Sequence, residues 1–306
     1  MASLKTIKLK IQSVKKTSTV THAMEAVSAV KMRRAQERAL ASRPYAIAAL
    51  SVLERLAGSA DLSRYPLMET RTGKTALVVI TSDKGLAGSL NSAVIKKAEG
   101  EMSVRGVTPS NTVVIAIGRR GADHFAARGY DVRVRRENVS DGVSENDVRA
   151  ITNEILTMHA AGEIGTAIVV YQNFISTFEQ HASVRQIVPI TAETMREFVR
   201  NIRPARGKYA PEHDDLDAHA ATPYTIEPDA ETVLTVLLPT LINIAVFHAL
   251  LETKASEHSA RMVAMKNATD NAKERAKQYT RLFNKIRQAS ITREISEITS
   301  GIEAMK

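Results

Sequence analysis

Apolar positions near the two ends of this chain recur every three or four residues, whereas those in the middle fall in short unbroken runs. At the N-terminal end Leu4, Ile7, Ile11 and Val14 step by three, four and three; a polar stretch, Lys15 to Thr19, then interrupts the stripe before Met24 and Val27 resume in another phase. Toward the other end Met265, Ala268, Ala272, Tyr279, Leu282, Ile286 and Ala289 follow one such rule, and Ile291, Ile295, Ile298, Ile302 and Met305 follow another. This spacing predicts amphipathic helices, and phase changes loosen or tighten a supercoil without ending it. Residues 1–57 contain no glycine and only Pro44, and residues 240–300 contain neither glycine nor proline. Average usage is about 7% Gly and 5% Pro, so gaps this long are selected rather than accidental. Both ends are therefore expected as helices of roughly 80–90 Å if unbroken. A long helix with no partner is marginal in water, so the two are expected to pair as an antiparallel coiled coil.

The middle has a different rhythm. Thr75–Ile80, Thr112–Ile117 and Ala167–Tyr171 are β-branched runs alternating with helical stretches at 91–104, 121–128 and 145–160. That alternation predicts buried parallel strands with crossover helices. Val184–Ile190 reads as one further strand, and Pro204–Pro228, rich in Pro, Asp, His and Ala, as a surface connection. The segments are a first coil helix at 1–57, an α/β domain at 74–199, the connection at 200–228 and a second coil helix at 229–306.

Composition narrows the function. The chain has 306 residues, no Cys, no Trp and 4% aromatics. A disulfide framework, a thiolate metal site and a Cys nucleophile are excluded. The N-terminus lacks an apolar core of the secretory type, so no signal peptide is expected. The net charge of +9 is uneven: residues 1–58 carry 11 Lys/Arg against 3 Asp/Glu (+8), residues 59–229 carry 20 against 22 (−2), and residues 230–306 carry 11 against 8 (+3). A basic segment that long points to an acidic partner: nucleic acid, an anionic membrane surface or acidic protein loops. Lys31, Arg33, Arg34, Arg38 and Arg43 are candidate phosphate contacts, but residues 1–44 hold none of the aromatics that single-strand binders interleave.

Three further features carry candidate chemistry. Ser82-Asp-Lys-Gly-Leu-Ala-Gly-Ser-Leu-Asn91 follows the first strand and opens a helix, where α/β folds hold phosphate. It has two glycines rather than three and no Gly-Lys-Ser/Thr ending, so a tight turn into an N-capped helix is expected, with ligand contact as the alternative. His213, Asp214, Asp215, Asp217 and His219 sit together but without the spacing that preorganises metal ligands, and a solvated loop is expected. No catalytic triad or paired-carboxylate constellation is recognisable. Val233–Leu251 is apolar enough to span a bilayer, yet it contains Pro239, Asn243 and His248 and runs into charged helix, so a helix buried beside the α/β domain is expected.

Ala255–Ala272 and Asn284–Gly301, together with Ile11–Lys15, Thr21–Val27 and the Ser82–Gly88 turn, resemble in sequence and order the gamma subunit of F-type ATP synthase. The likeness runs nearly end to end and is weakest at 99–165 and 200–222. It implies the fold class that the pattern predicts: α/β plus a long antiparallel two-helix coiled coil formed by the N- and C-terminal helices, with an inserted Rossmann-like α/β domain. It also implies a non-catalytic rotating shaft inside a ring of three alpha and three beta subunits. The shaft meets epsilon and the membrane c-ring at its foot, and touches the membrane only through that ring. ATP, ADP and Mg would bind the alpha and beta partners, with no cofactor or metal on this chain and no nucleic acid. The resemblance assigns Arg287 and Gln288 to a beta-subunit loop, Met24 to the acidic beta loops with Arg33 and Arg34 on the same basic segment, and Arg261 to the matching C-terminal segment. Tyr224 and Glu227 are assigned to the foot, and Ile298, Ile302 and Met305 to an apolar tip. Ile226, Ala87 and His22 depart from residues common in the family. Without Cys the redox switch of the chloroplast form cannot operate, and Met1 without a presequence favours a bacterial form at the cytoplasmic face of the inner membrane. A stand-alone nucleotide-binding enzyme and a coiled-coil nucleic-acid binder are the alternatives.

Overall fold

The computed structural model describes residues 4–57, 65–191, 193–194, 226–227 and 229–305. Helix α1 (Leu4–Ala57) carries Pro44 inside it. It is followed by β1 (Lys74–Ile80), α2 (Leu90–Val104), β2 (Thr112–Ile117), α3 (Arg119–Ala126), β3 (Asp131–Arg136), α4 (Glu145–Ala160), β4 (Ile164–Phe174) and β5 (Gln180–Val188). Helix α5 (Ala230–Ala304) ends the order. It starts at Asp229, whose carboxylate accepts from Thr232 N (2.8 Å) and Thr232 Oγ1 (2.9 Å), the ordinary way of satisfying first-turn donors. Internal contacts divide the chain into two units, Met1–Ala29 with Arg261–Lys306, and Val30–Ala260.

In the second unit the strands form one sheet in the order β3-β2-β1-β4-β5, parallel except for β5, which is antiparallel to β4. Both faces are covered, which is why the central strands read as unbroken apolar runs. Leu77 and Val79 of β1, Val114 and Ala116 of β2 and Ile168 and Val170 of β4 pack on Val94, Ala98 and Met102 of α2 and Phe125 of α3. The alternate residues, among them Val78, Ile80, Ile115 and Val169, face α4, Leu53 and Leu56 of α1, and Leu234 to Leu251 of α5. The apolar window at 233–251 is thus spent on the protein's own core, each fully buried Leu or Ile contributing about 1.5–3 kcal/mol. Strand β3 was not expected from the pattern. Its Asp131, Arg133, Arg135 and Arg136 are exposed on an edge, where charge is the normal protection against further pairing. The strand expected at 184–190 begins earlier, at Gln180, because it pairs along the outer part of β4.

Helix α5 also binds the sheet through polar groups. Pairing of β1 with β4 stops at Val79–Val170, while β4 runs on to Phe174. On the side left open, Gln172 N donates to Thr253 Oγ1 (3.3 Å) and Ser256 Oγ donates to Gln172 O (3.3 Å). Backbone groups that would be orphaned in the core are satisfied by helix hydroxyls.

The segment between β3 and α4 is gripped by both long helices. Asp141 accepts from Lys31 Nζ (2.7 Å) on α1 and from His258 Nε2 (2.9 Å) on α5, while its carbonyl accepts from Arg38 Nη1 (3.1 Å). Burial would by itself raise the Asp141 pKa, but the hydrogen bonds from Lys31 and His258 outweigh it and hold the carboxyl at about 2. A folded value below the unfolded value of about 3.9 means stability that is complete above pH 4 and lost as pH falls toward 2. The full shift would correspond to roughly 2–3 kcal/mol, and partial solvent exposure discounts that to about 1 kcal/mol. Asp141→Asn is therefore expected to lower stability by about 1 kcal/mol at pH 7, with the difference from the parent chain vanishing only as pH falls through about 2, as read from urea midpoints across pH. A pH-independent difference would show that the charge of Asp141 is not what stabilises.

Candidate functional site

The first unit is the paired portion of α1 and α5. Thr21 lies against Thr269, their hydroxyls 2.6 Å apart, and Lys10 Nζ sits 5.9 Å from the ring of Tyr279, so numbers rise on one helix as they fall on the other. The pair is antiparallel. Along α1 the covered positions are Leu4, Ile7, Ile11, Val14, Ser18, Thr21, Glu25 and Ser28, an uninterrupted three-four repeat. The expected break at Lys15 to Thr19 does not occur, and Val27, expected in the stripe, is 57% exposed. Ser18 and Thr21 hold the seam in place of apolar residues. Ser28 Oγ donates to Met24 O (2.7 Å), and in the Thr21–Thr269 pair one hydroxyl donates across the seam while the other donates to a carbonyl of its own turn, Thr17 O (3.0 Å) from Thr21 or Met265 O (2.8 Å) from Thr269, so these small side chains enter the seam without an unmet donor. On α5 the buried positions are Met265, Thr269, Ala272 and Ala276, followed by half-buried Tyr279, Phe283 and Ile286. Leu282 and Ala289 were expected in this stripe and are instead exposed; the repeat passes one residue later.

The assigned residues separate into distinct settings. Arg287 and Gln288 are exposed neighbours on α5. By the register above Leu4 falls opposite about Ile286, so they lie where the described part of α1 begins. Beyond them Ile291, Ile295, Ile298, Ile302 and Met305 form an apolar stripe 49–85% exposed. Arg33, Arg34 and Glu227 are exposed and Met24 is half-buried. Arg261 is different: it is 8% exposed and engaged within the chain, so it is a packing residue of α5 before it is a surface contact. Ile226 packs against the main core. Tyr224, the five His/Asp residues of 213–219 and most of the 200–228 connection lie outside the described residues. A groove of about 720 Å³ along the coil is lined by Lys15, Lys273, Lys277 and Arg281 with Ser18, Thr19, Ala276 and Thr280, and no carboxylate lines it.

The Ser82–Asn91 turn is tied to itself and to its neighbours. Ser82 N donates to Asn91 Oδ1 (2.9 Å) and Ser82 Oγ to Lys84 O (2.6 Å). Asp83 accepts from Arg119 N (3.0 Å) with one oxygen and from Asn138 N (2.9 Å) with the other. A carboxylate thus already occupies the first turn of α3, the place where a phosphate would bind. The capped start expected for the helix after this turn is not supplied by a side chain: Ser89, at the cap position of α2, makes no side-chain capping bond. Gly118, at φ 93°, is required beside this tie, because a Cβ there would lie 2.1 Å from Thr81 O. Among the described residues no group of three His, Asp or Glu side chains is placed to hold a metal.

A family model described as ATP synthase matches residues 3–305. The ATP synthase gamma chains of Desulforamulus reducens and Pelotomaculum thermopropionicum are 37% and 38% identical to this chain over 307 residues, each alignment covering the whole of both chains. This chain belongs to the ATP synthase gamma-chain family. Gamma chains are the central-stalk rotor of the F-type enzyme, a peripheral part of a membrane-bound complex, and not its catalytic subunit. Solved structures agree on the fold. A chain of the Euglena gracilis mitochondrial ATP synthase, in a structure of its OSCP, F1 and c-ring, aligns over 99% of this chain and 94% of its own at TM-score 0.63 and 18% identity. One from the central stalk and c-ring of the Tetrahymena thermophila enzyme aligns over 81% of this chain and 99% of its own at 0.56 and 24%. The α/β layer with a long antiparallel helix pair is therefore the gamma-chain architecture.

The hydroxyl pair in the gamma-chain seam makes a measurable claim. Thr269→Val removes one partner of a buried bond and is expected to cost about 1 kcal/mol, whereas adding Thr21→Val should recover at least half of that, since an apolar pair of the same shape is nearly neutral. Urea unfolding followed by helical circular dichroism would test this, and strictly additive losses would mean that the two hydroxyls do not interact.

Proposed function

We propose that this chain is the rotating central shaft of a proton-translocating F-type ATP synthase, one copy per three alpha and three beta subunits, at the cytoplasmic face of a bacterial membrane. Its foot, with Tyr224 and Glu227, meets epsilon and the c-ring. The coil turns inside the alpha-beta ring, and its asymmetry opens and closes the beta sites in turn, where nucleotide and Mg bind. Ile298, Ile302 and Met305 form the apolar tip held in the top of that ring, and Met24, Arg33, Arg34 and Arg261 lie along the segments that face the acidic beta loops. The observation that carries the reading is the full-length match to gamma chains on a chain whose coil leaves its cations and its last apolar stripe uncovered. A groove lined by four cations without a carboxylate suits acidic loops, and alternation between three stator faces requires contacts weak enough to break on every turn.

Coexpression with alpha and beta subunits should give a complex of one chain per three of each, with ATPase activity confined to that chromatographic peak. Free monomer hydrolysing ATP would support the enzyme alternative instead. Arg287 and Gln288 present adjacent donors suited to carboxylate and backbone acceptors. Arg287→Ala is expected to lower ATPase turnover of the assembled complex by about three- to tenfold, the loss of a contact of about 1 kcal/mol, while nucleotide affinity at the beta sites stays within twofold. Unchanged turnover and coupling would remove Arg287 from the functional set.

A further inference from the structure

The turn at Ser82–Asn91 and the segment between β3 and α4 lie together at the carboxyl ends of the parallel strands, the usual ligand edge of an α/β sheet. In this chain that edge is spent on an internal tie. Asp83 joins two backbone amides from different connections, Arg119 N at the start of α3 and Asn138 N just past β3. From Asn138 the contacts continue residue by residue. Val139 O accepts from Lys254 Nζ on α5 (2.8 Å), the Asp141 carboxylate from Lys31 on α1 and His258 on α5, and Asp141 O from Arg38 on α1. Each long helix thus supplies two polar side chains to one short segment, and Glu257 on α5 lies 3.8 Å from Lys254. The far end is fixed as well: Ser144 Oγ accepts from Asp147 N (3.2 Å) to cap α4.

Two residues in this segment sit at positive φ, Asn138 at 57° and Val143 at 44°, and Val143 is only 4% exposed within the main core. A β-branched residue in that region costs about 1–3 kcal/mol and persists only where its surroundings over-determine it. Four side chains from the two long helices, a carboxylate-held amide and a capped helix supply that determination. Free surface connections are not held in this way.

We propose that Asp83 and Asp141 are the two fixed points of a linkage through which the sheet holds α1 and α5 together, so that load on the α/β layer passes into both shaft helices and back. Both are positioning residues. The torque role rests on the rotor reading; the linkage itself does not.

Among the described residues the hydrogen bonds of Asp83 go to Arg119 and Asn138 and to neither long helix, and that makes it the decisive position. Asp83→Asn keeps the size of the side chain but sets an amide donor against a backbone N–H. In the full chain, hydrogen exchange read by mass spectrometry is expected to accelerate by about threefold or more in residues 30–38 and 254–258, as well as in the turn. Acceleration confined to residues 82–91 and 119–123 would overturn the linkage. Lys254→Met tests the reverse direction without altering the turn, so a fold lost in the first variant does not end the experiment. It should speed exchange at 119–123 and 137–143 to a similar degree, and unchanged exchange there would count equally against the proposal. In the complete membrane enzyme Asp83→Asn should leave ATP hydrolysis within twofold and reduce ATP-driven proton pumping by about threefold or more. Normal pumping with altered exchange would remove the torque role. If the parent chain supported no pumping with its partners, the rotor reading would fall while the exchange result still decided the linkage.

Discussion

A helix of 75 residues persists in water only where something covers it, and α5 is covered by different chemistry along its length. From Leu234 to Leu251 it is part of the core beneath the sheet. From Thr253 to Ser259 it is held by hydroxyls and charged groups that reach β4, the β4–β5 turn and the segment after β3. From Met265 onward it is covered by α1, and the last apolar stripe is left bare. Each zone answers to a separate requirement: apolar burial where the partner is a sheet face, hydrogen-bond completion where strand ends expose backbone, and a narrow seam where the partner is one other helix.

The seam explains how the coil can be both continuous and sparing in apolar residues. Ala272 and Ala276 on one side and Ser18, Thr21 and Ser28 on the other are small, so the helices approach closely and side-chain hydroxyls bond to carbonyls of their own turn. The covered stripe then need be only one or two side chains wide, and most of the circumference remains free. A shaft that presents successive faces to its surroundings requires that freedom, together with the stiffness that absence of glycine from residues 1–57 and 240–300 provides.

Much of the architecture was legible because it depends on one-dimensional rules. Missing helix breakers marked α1 and α5, and β-branched runs marked β1, β2 and β4, since burial on both faces removes polar residues from those strands. What stayed hidden depends on partners distant in sequence. Lys15 to Thr19 read as a break because a hydroxyl that bonds its own helix cannot be told from one that faces water. Strand β3 was missed because an exposed edge selects Asp and Arg. Asp83 stood in a recognised turn, but its two amides come from residues 36 and 55 positions away, and nothing local distinguishes Asp141, whose partners lie 110 and 117 positions off. The resemblance carried Arg287 and Gln288 to an exposed place, yet carried Arg261 to a buried one, because sequence likeness transfers positions and not solvent exposure.

The placement of charge follows the same division. Acidic residues of the middle segment are engaged as partners within the chain: Asp83 for backbone amides, Asp141 for Lys31 and His258. Those interactions are made once and kept, and they are gathered where both long helices pass the sheet. Cations along the coil have the opposite character. They are exposed, and four of them share a groove without an acid lining it. Exposed ion pairs contribute about 0–1 kcal/mol each and are weakened by salt. That strength is too low to fix a single partner but sufficient, over many contacts, to guide one that is released repeatedly. A rotor requires some pairs that are kept and others that are released, and the fold separates the two: Asp83 and Asp141 are engaged beside the sheet, while Lys15, Lys273, Lys277 and Arg281 line an open groove of the coil.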